Sequence, residues 1–511
     1  MKPVTVERAS NTIYPDRTRV LLRPFHAMSD QRAITICEEV AALPECEVRF
    51  LLEKLLAEFG ERHVEIRGFF KRRLHEVRPY LLTDAKLSEE RELLLGAYFS
   101  HEYSLEAAAL FNPSLVPHPD QSGIPPGSIR FILSLRATGE GHVSSIVFRT
   151  GCLDASGNII IDAPSRYSLE PAPAPSVTHR KTLFELRLQD LSMVGGFSLR
   201  VLKTLADSFT LDDLRAGIML ALSQLRTPNL ETERVAREIL ALVQSNYEVR
   251  FTPDTDLSER VLFPATPAQC NGIEDARFVL FHNEDGTQTY YATYTAYNGK
   301  AIRPEFLETQ DFLHFKFVTL SGSGVKNKGM ALFPRKIKGK YAMLGRQDGE
   351  NISVMFSDHL HFWHDAQLLL KPAFPWEFIQ LGNCGSPIEM EEGWLVVSHG
   401  VGPMRKYCIS AFLLDRDDPT QVIGRLREPL IAPNENERKG YVPNVVYSCG
   451  SLLHGRRLIV PYGISDCATT FATLSIDEVL AAMESPGLRS PGDSALQLAR
   501  SASHVLHDRG E

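Results

Sequence analysis

The spacing of apolar residues changes along the chain, and those changes divide it. Over Ser29–Leu43 and Glu47–Val77 hydrophobic residues recur every three to four positions, as at Leu51, Leu52, Leu55, Leu56 and Phe59. That spacing places them on one face of a helix. A short β-like piece, Thr18–Leu22, precedes these runs, and residues 1–100 read as an N-terminal helical extension. The pattern then shortens. Phe111-Asn112-Pro113-Ser114 reads as a turn, and Arg130–Leu135 and His142–Arg149 are strand-like runs of β-branched and aromatic residues. Pro164, Pro171, Pro173 and Pro175 bar Ala163–Val177 from a helix interior or a central strand, so 101–177 reads as strands closed by a linker. Helical spacing returns over 178–246, at Leu199, Leu202, Leu205 and Phe209, then at Leu214, Ile218, Leu222 and Leu225. Pro228 separates these from a helix carrying Val235, Ile239 and Leu242. This stretch reads as a helical insertion between β units.

From 247 to 484 the chain is nearly all short strands, among them Gln288–Thr295, His314–Leu320, Gly393–Ser398, Lys406–Asp415, Arg457–Tyr462 and Ala468–Ser475. Many short strands of even spacing suit a sandwich, a barrel or a propeller. Three segments, YATYTAYNG, LVVSHGVG and LIVPYGISD, each put polar residues just past a buried strand. A propeller aims such ends at one channel from distant parts of the sequence, and it is the favoured reading. The Ser-, Gly- and Arg-rich tail, 485–511, is expected to be flexible.

Composition narrows the function classes. The chain has 511 residues, a net charge of −8 and 43% hydrophobic residues, the balance of a globular protein with a large core. The acidic balance argues against a nucleic-acid partner, and no apolar run is long enough to cross a bilayer, so no membrane partner is expected. The first twenty residues show no apolar signal region, and the eight cysteines form no CxxC pair. Free thiols in a reducing, cytoplasmic setting are therefore expected.

Several catalytic signatures are missing: no GxSxG elbow, no HExxH, no P-loop and no GxGxxG after a strand. Asp358, His359, His361 and His364 lie close together, but a polar turn before Trp363 explains them better than a metal does. The stretch Cys270-Asn271-Gly272-Ile273-Glu274-Asp275-Ala276-Arg277-Phe278 puts two carboxylates and a guanidinium in a tight turn feeding a buried strand. Such a turn holds side chains rigidly at a sheet end, as an acid catalyst requires. Lys328, Arg346, His399, Tyr462 and Asp466 are further polar residues at strand ends. An inverting glycosidase needs an acid and a second carboxylate to activate water. Phosphate as nucleophile needs no second carboxylate, only cations that hold it in line.

In ordered blocks from about Leu110 to Val479 the chain resembles the glycoside phosphorylases and hydrolases of family 130. The blocks are Phe111-Asn112-Pro113, Ser134–Ala137, Gly272–Arg277, Ala331–Pro334, Gly393–Val401, Leu413–Asp415, Gly440–Val446 and Tyr462–Asp466. The resemblance implies a mainly β fold, a five-bladed β-propeller, carrying the N-terminal helical region and the helical insertion as additions. It implies inverting phosphorolysis of β-mannosides: a β-manno-oligosaccharide and phosphate give α-mannose 1-phosphate and a shortened acceptor. Asp275 matches the family's catalytic acid, which acts through a hydroxyl of the mannosyl unit. Lys328, Arg346 and His399 fall at phosphate-binding positions, with Lys326 or Arg335 as alternatives to Lys328. Asn112, Arg136 and Asp466 fall among sugar-holding positions, and Glu274, Arg277 and Tyr462 join the expected substrate-binding set. Two departures from the family pattern stand out, Ala276 in place of the usual proline and Lys328 where arginine is frequent. No metal or organic cofactor is implied; phosphate is a co-substrate. The rival reading is hydrolysis with Glu435 or Glu437 as base, and a non-catalytic carbohydrate-binding propeller is a second. Oligomerisation through the helical regions is expected.

Overall fold

The structure is a computed structural model of the full chain, and it describes residues 4–83, 85–174, 177–225 and 229–485. Pro175, Pro228 and the tail from 486 onward lie outside the described residues. The architecture is mainly β with two helical additions.

Its β part is a succession of antiparallel meanders. Ala109–Pro117, Ile129–Thr138 and Ser144–Leu153 form the first, and Gly272–His282, Gln288–Tyr297, Ile302–Thr309 and His314–Thr319 the second. These two join into one sheet through a single parallel pairing, Gly272 opposite Ser144. Ala331–Leu332, Tyr341–Gly345, Ile352–Ser357 and Ala366–Leu370 form the third. Gln380–Asn383, Gly393–Gly402, Lys406–Leu414 and Val422–Arg425 form the fourth. In the fifth, Val446–Tyr447, Arg457–Ile464 and Ala468–Ser475 pair in turn, and the N-terminal strand Val6–Arg8 adds to its outer edge. The first and last meanders touch: the Leu110 amide donates to the Cys467 carbonyl at 2.9 Å and the Cys449 amide to Pro113 at 2.8 Å.

Side-chain alternation explains the packing. Along Gly272–His282 and Gln288–Tyr297, residues on both faces are buried, Phe278, Val279 and Phe281 in the first and Tyr290–Ala292 in the second among them. Phe148, Phe278, Phe312 and Phe315 interlock with ring centroids 5.7–6.0 Å apart and fix the first meander against the second. Each ring buried this way contributes roughly 1.5–3 kcal/mol.

The helical additions start where the sequence supplies caps. Ser29 accepts from the Arg32 amide to begin Asp30–Ala42, and Ser88 from the Arg91 amide to begin Glu89–Tyr98. The single long helical run expected over 47–77 is two helices, Glu45–Phe59 and Ile66–Val77. The 3-10 turn Gly60–Arg62 and the extended His63 separate them. Between 178 and 246 four helices, Lys181–Asp190, Gly196–Thr204, Leu211–Ser223 and Leu230–Gln244, share their own apolar core around Leu188, Phe209, Leu214 and Ile239. Thr210 and Asn229 cap the last two. No described helix is long and apolar enough to cross a membrane.

Candidate active site

Two bulges face each other where the first and second meanders meet. The Gly272–His282 strand loses register between Glu274 and Arg277, and Ala109–Pro117 loses it between Phe111 and Ser114. Each bulge carries a residue in the left-handed region, Asp275 at φ 55° and Asn112 at φ 51°. Short polar side chains tolerate that conformation better than others do. A bulge turns its extra residue out of the ladder and re-aims its side chain. Here the two extra side chains meet: Asn112 Nδ2 donates to Asp275 Oδ1 at 2.6 Å.

Arg136, on the adjacent strand, clamps this turn. Its Nη1 donates to Asp275 Oδ1 at 3.2 Å, its Nη2 to Glu274 Oε1 at 2.7 Å and its Nε to the Ser144 hydroxyl at 2.9 Å. Glu274 reaches across to Lys328, whose Nζ lies 3.4 Å from its Oε2. Arg277 donates through Nη1 to the Asp275 carbonyl at 3.1 Å and through Nη2 to the Tyr447 hydroxyl at 2.6 Å. Tyr447 packs edge-on against the His399 ring, centroids 4.8 Å apart, and Arg346 Nη1 donates to His399 Nε2 at 3.3 Å. Contacts therefore run unbroken from Asp275 through Arg277, Tyr447 and His399 to Arg346. Every meander contributes: Asn112 and Arg136 from the first, Glu274–Arg277 from the second, Lys328 and Arg346 from the third, His399 from the fourth, Tyr447 and Asp466 from the fifth.

The electrostatics separate the two aspartates. Burial alone would raise Asp275, but Arg136, Lys328, Arg277 and the Asn112 hydrogen bond overcome it and hold the carboxylate low and ionised. Asp466 is left-handed at φ 50°. Burial and the neighbouring Asp275 charge push its pKa up to about 6, against the weaker pull of Arg136, Arg405 and Lys328. His399 was expected as a cation. Burial, then the Arg346 and Arg277 charges, hold it well below its ordinary value, so it is neutral at pH 7. With Nε2 accepting from Arg346, the ring proton belongs on Nδ1, which faces Cys384 Sγ at 3.7 Å. Gly382 makes this contact possible, since a Cβ there would lie 2.4 Å from the His399 ring.

Five residues weighed for the site stand elsewhere. Tyr462 is fully buried and its hydroxyl donates to Glu437 Oε1 at 2.7 Å, because strand alternation turns it away; its neighbour Gly463 is the one that abuts Asn112. Arg335 is held bidentately by Glu389 at 2.8 and 2.7 Å, and Lys326 is exposed. Glu437 accepts from Tyr462, faces Arg8 Nε at 3.3 Å and caps the Asn434 amide, while Glu435 is exposed. Sequence reasoning missed Tyr447, although it directly follows the Gly440–Val446 block, and it missed Arg405, whose charge reaches Asp466.

Buried carboxylates and the cations that oppose them thus meet at one junction of β meanders. Comparison with known proteins gives the family. Residues 231–485 match the model of glycoside hydrolase family 130, described as beta-1,4-mannooligosaccharide phosphorylase. The 1,2-beta-oligomannan phosphorylase of Thermoanaerobacter sp. (strain X514) is 35% identical over 232 residues, covering 44% of this chain and 75% of that protein. A beta-1,2-mannobiose phosphorylase of Listeria innocua serovar 6a is 30% identical over 238 residues, 44% of this chain and 63% of that one. The solved structure of the beta-1,2-mannobiose phosphorylase from Listeria innocua in complex with beta-1,2-mannobiose is similar at 22% identity and a TM-score of 0.44, over 73% of this chain and 92% of that chain. The chain belongs to glycoside hydrolase family 130.

Proposed function

We propose that this protein is an inverting phosphorylase of β-mannosides, built as a five-bladed β-propeller whose blades are the five meanders. The contacts between first and last meander, and the N-terminal strand added to the last, support a closed ring. The helical extension and the insertion at 178–246 are additions outside that ring.

One observation carries the functional reading. Arg346, buried and with its Nε unpartnered, has no carboxylate within ion-pair distance among the described residues, and it sits against neutral His399. A buried guanidinium without a counter-charge is costly unless an anion completes it. Arg346, His399 and Lys328 would hold phosphate, and Arg136, Asn112 and Asp466 the mannosyl unit. Phosphate attacks the anomeric carbon from the face opposite the scissile bond. The carbon–oxygen bond breaks, and the departing oxygen takes a proton, through a mannosyl hydroxyl, from Asp275 in its protonated form, which the proton of the attacking hydrogen phosphate restores. The incoming dianion draws on the charge of Arg346, Lys328 and Arg277. That weakens their hold on the Asp275 carboxylate and raises its proton affinity in the complex. The product is α-mannose 1-phosphate plus the shortened acceptor.

The hydrolytic alternative needs a free carboxylate to activate water. Glu437 is committed to Tyr462, Arg8 and the Asn434 amide, and no observation favours it as a base. The test is to incubate the protein with β-1,2-mannobiose and phosphate and follow the products by phosphorus and proton NMR. Equal amounts of α-mannose 1-phosphate and mannose are expected. Two mannoses per disaccharide, with phosphate unconsumed, would overturn the proposal.

A further inference from the structure

A second buried guanidinium lacks a counter-charge, and it lies far along the sequence from the first. Arg187, in the helix Lys181–Asp190 of the insertion, is 9% exposed. Its Nη1 donates to Asn246 Oδ1 at 2.8 Å and its Nη2 to the Thr319 carbonyl at 3.5 Å, while its Nε has no partner. No carboxylate pairs with it among the described residues. Burial alone pushes its pKa down to about 10, with no acidic neighbour to offset it.

The other buried arginines show how unusual this is. Arg19 and Arg149 share Glu106, Arg73 pairs with Glu76 and Arg91 with Glu45. Arg260 has Asp256, Asp311 and Glu259 near it. Only Arg346, in the candidate active site, resembles Arg187 in this respect among the described residues.

Arg187 opens onto a cavity of about 200 Å³ between the insertion and the second meander. Its charged and titratable lining is His179, Arg180, Arg187, Lys316, His361 and a single carboxylate, Glu248. Glu248 is taken by His314 at 3.0 Å. Lys316 and His361 share Glu308 from behind, at 3.2 and 3.5 Å. The cations therefore outnumber the acids that face the space. The positive field also acts on the imidazoles: burial, then Arg187, pushes His179 down to about 4, and burial lowers His361 with Arg187 and Lys316 adding to it. A flat apolar wall stands opposite, Tyr247 stacked on Phe317 with centroids 4.3 Å apart and 5° between planes. Both rings also line an adjoining groove of about 810 Å³.

We infer that this cavity is an anion site for a small phosphorylated metabolite, its phosphoryl group completing Arg187 with Arg180 and Lys316, and its organic part lying along Tyr247 into the groove. A ligand there would add to the tie that Arg187 already makes to the Thr319 carbonyl, since it bridges Arg180 and Arg187 of the insertion to Lys316 of the sheet.

The test is isothermal titration of the full chain carrying Arg346→Ala, with inorganic phosphate in one arm and α-mannose 1-phosphate in the other. One binding event is expected to remain, tighter for the sugar phosphate. Adding Arg180→Ala and Lys316→Ala, both exposed positions, should weaken it by about 10-fold or more, the size of one charge-assisted hydrogen bond. Arg187→Gln should abolish it, with circular dichroism checking that the chain still folds. Silence with both probes in the Arg346→Ala protein would overturn the inference, as would binding unchanged in the Arg180→Ala, Lys316→Ala protein.

Discussion

Asp466→Asn is expected to make this protein more stable and less active at neutral pH. The carboxyl of Asp466 ionises near 3.8 in an unfolded chain but is pushed up to about 6 in the fold by burial and the Asp275 charge. Between those values the native state holds a proton that the unfolded state has lost. Stability therefore falls as pH rises from about 4 to about 6, and the deficit persists above that. The displacement corresponds to roughly 3 kcal/mol at most. Asparagine carries no charge, and it accepts the left-handed backbone at φ 50° as readily as aspartate does. With an unfolding entropy of about 2.1 cal/mol/K per residue over 511 residues, the full effect is about 3 °C in melting temperature. The assay is a melting series from pH 4 to pH 8 on both proteins. The curves should coincide near pH 4, separate through pH 5–6 and run parallel above, with the variant higher. A variant that melts lower at pH 8, or a difference independent of pH, would refute the electrostatic account of the aspartate pair.

Asp275→Asn should lower turnover by about 10²–10⁴-fold, the usual contribution of a general acid, while calorimetry with a β-mannoside still reads binding. Arg346→Ala should raise the KM for phosphate by about 10- to 100-fold through the loss of a charge-assisted hydrogen bond. Because burial and the Arg346 and Arg277 charges keep His399 neutral, its protonation is complete only well below pH 6.5. The KM for the phosphate dianion should then show no break from His399 between pH 6 and 8, so its pH profile should match that of His399→Gln in steady-state kinetics, and His399→Gln should retain more phosphate affinity than His399→Ala. Glu437→Gln should lower the melting temperature, because its Tyr462 and Arg8 contacts weaken, and leave the ratio of phosphorolysis to hydrolysis unchanged.

How far the sequence carries this account depends on the range of the interactions. Strand positions were legible because alternation and β-branched composition are local: the strand read at Ala468–Ser475 is found there, and Gln288–Thr295 extends by two residues to Tyr297. The 47–77 helix was misread because its apolar spacing runs on through Gly60, and only packing against Glu89–Tyr98 decides that the chain turns there. At the site, Glu274-Asp275-Ala276-Arg277 announced itself as a charged turn. Its bulge, and the facing bulge at Asn112, each arise in pairing with the next strand, but their meeting joins residues 163 apart in sequence, which no local pattern encodes. Tyr462 was misassigned for a related reason. One step of strand register separates a residue facing the site from one facing the outer core, and Gly463 takes the inner position. The neutrality of His399 was out of reach altogether, since it arises from the burial and the two guanidinium charges that the fold gathers around it.

The most direct test of the central claim is a crystal structure of the Asp275→Asn protein with phosphate and a β-mannoside. The account predicts phosphate against Arg346 and His399, with the mannosyl unit between it and residue 275 and the anomeric carbon facing a phosphate oxygen. Phosphate on the same side of the sugar as the scissile bond, or a mannoside bound away from residue 275, would contradict it.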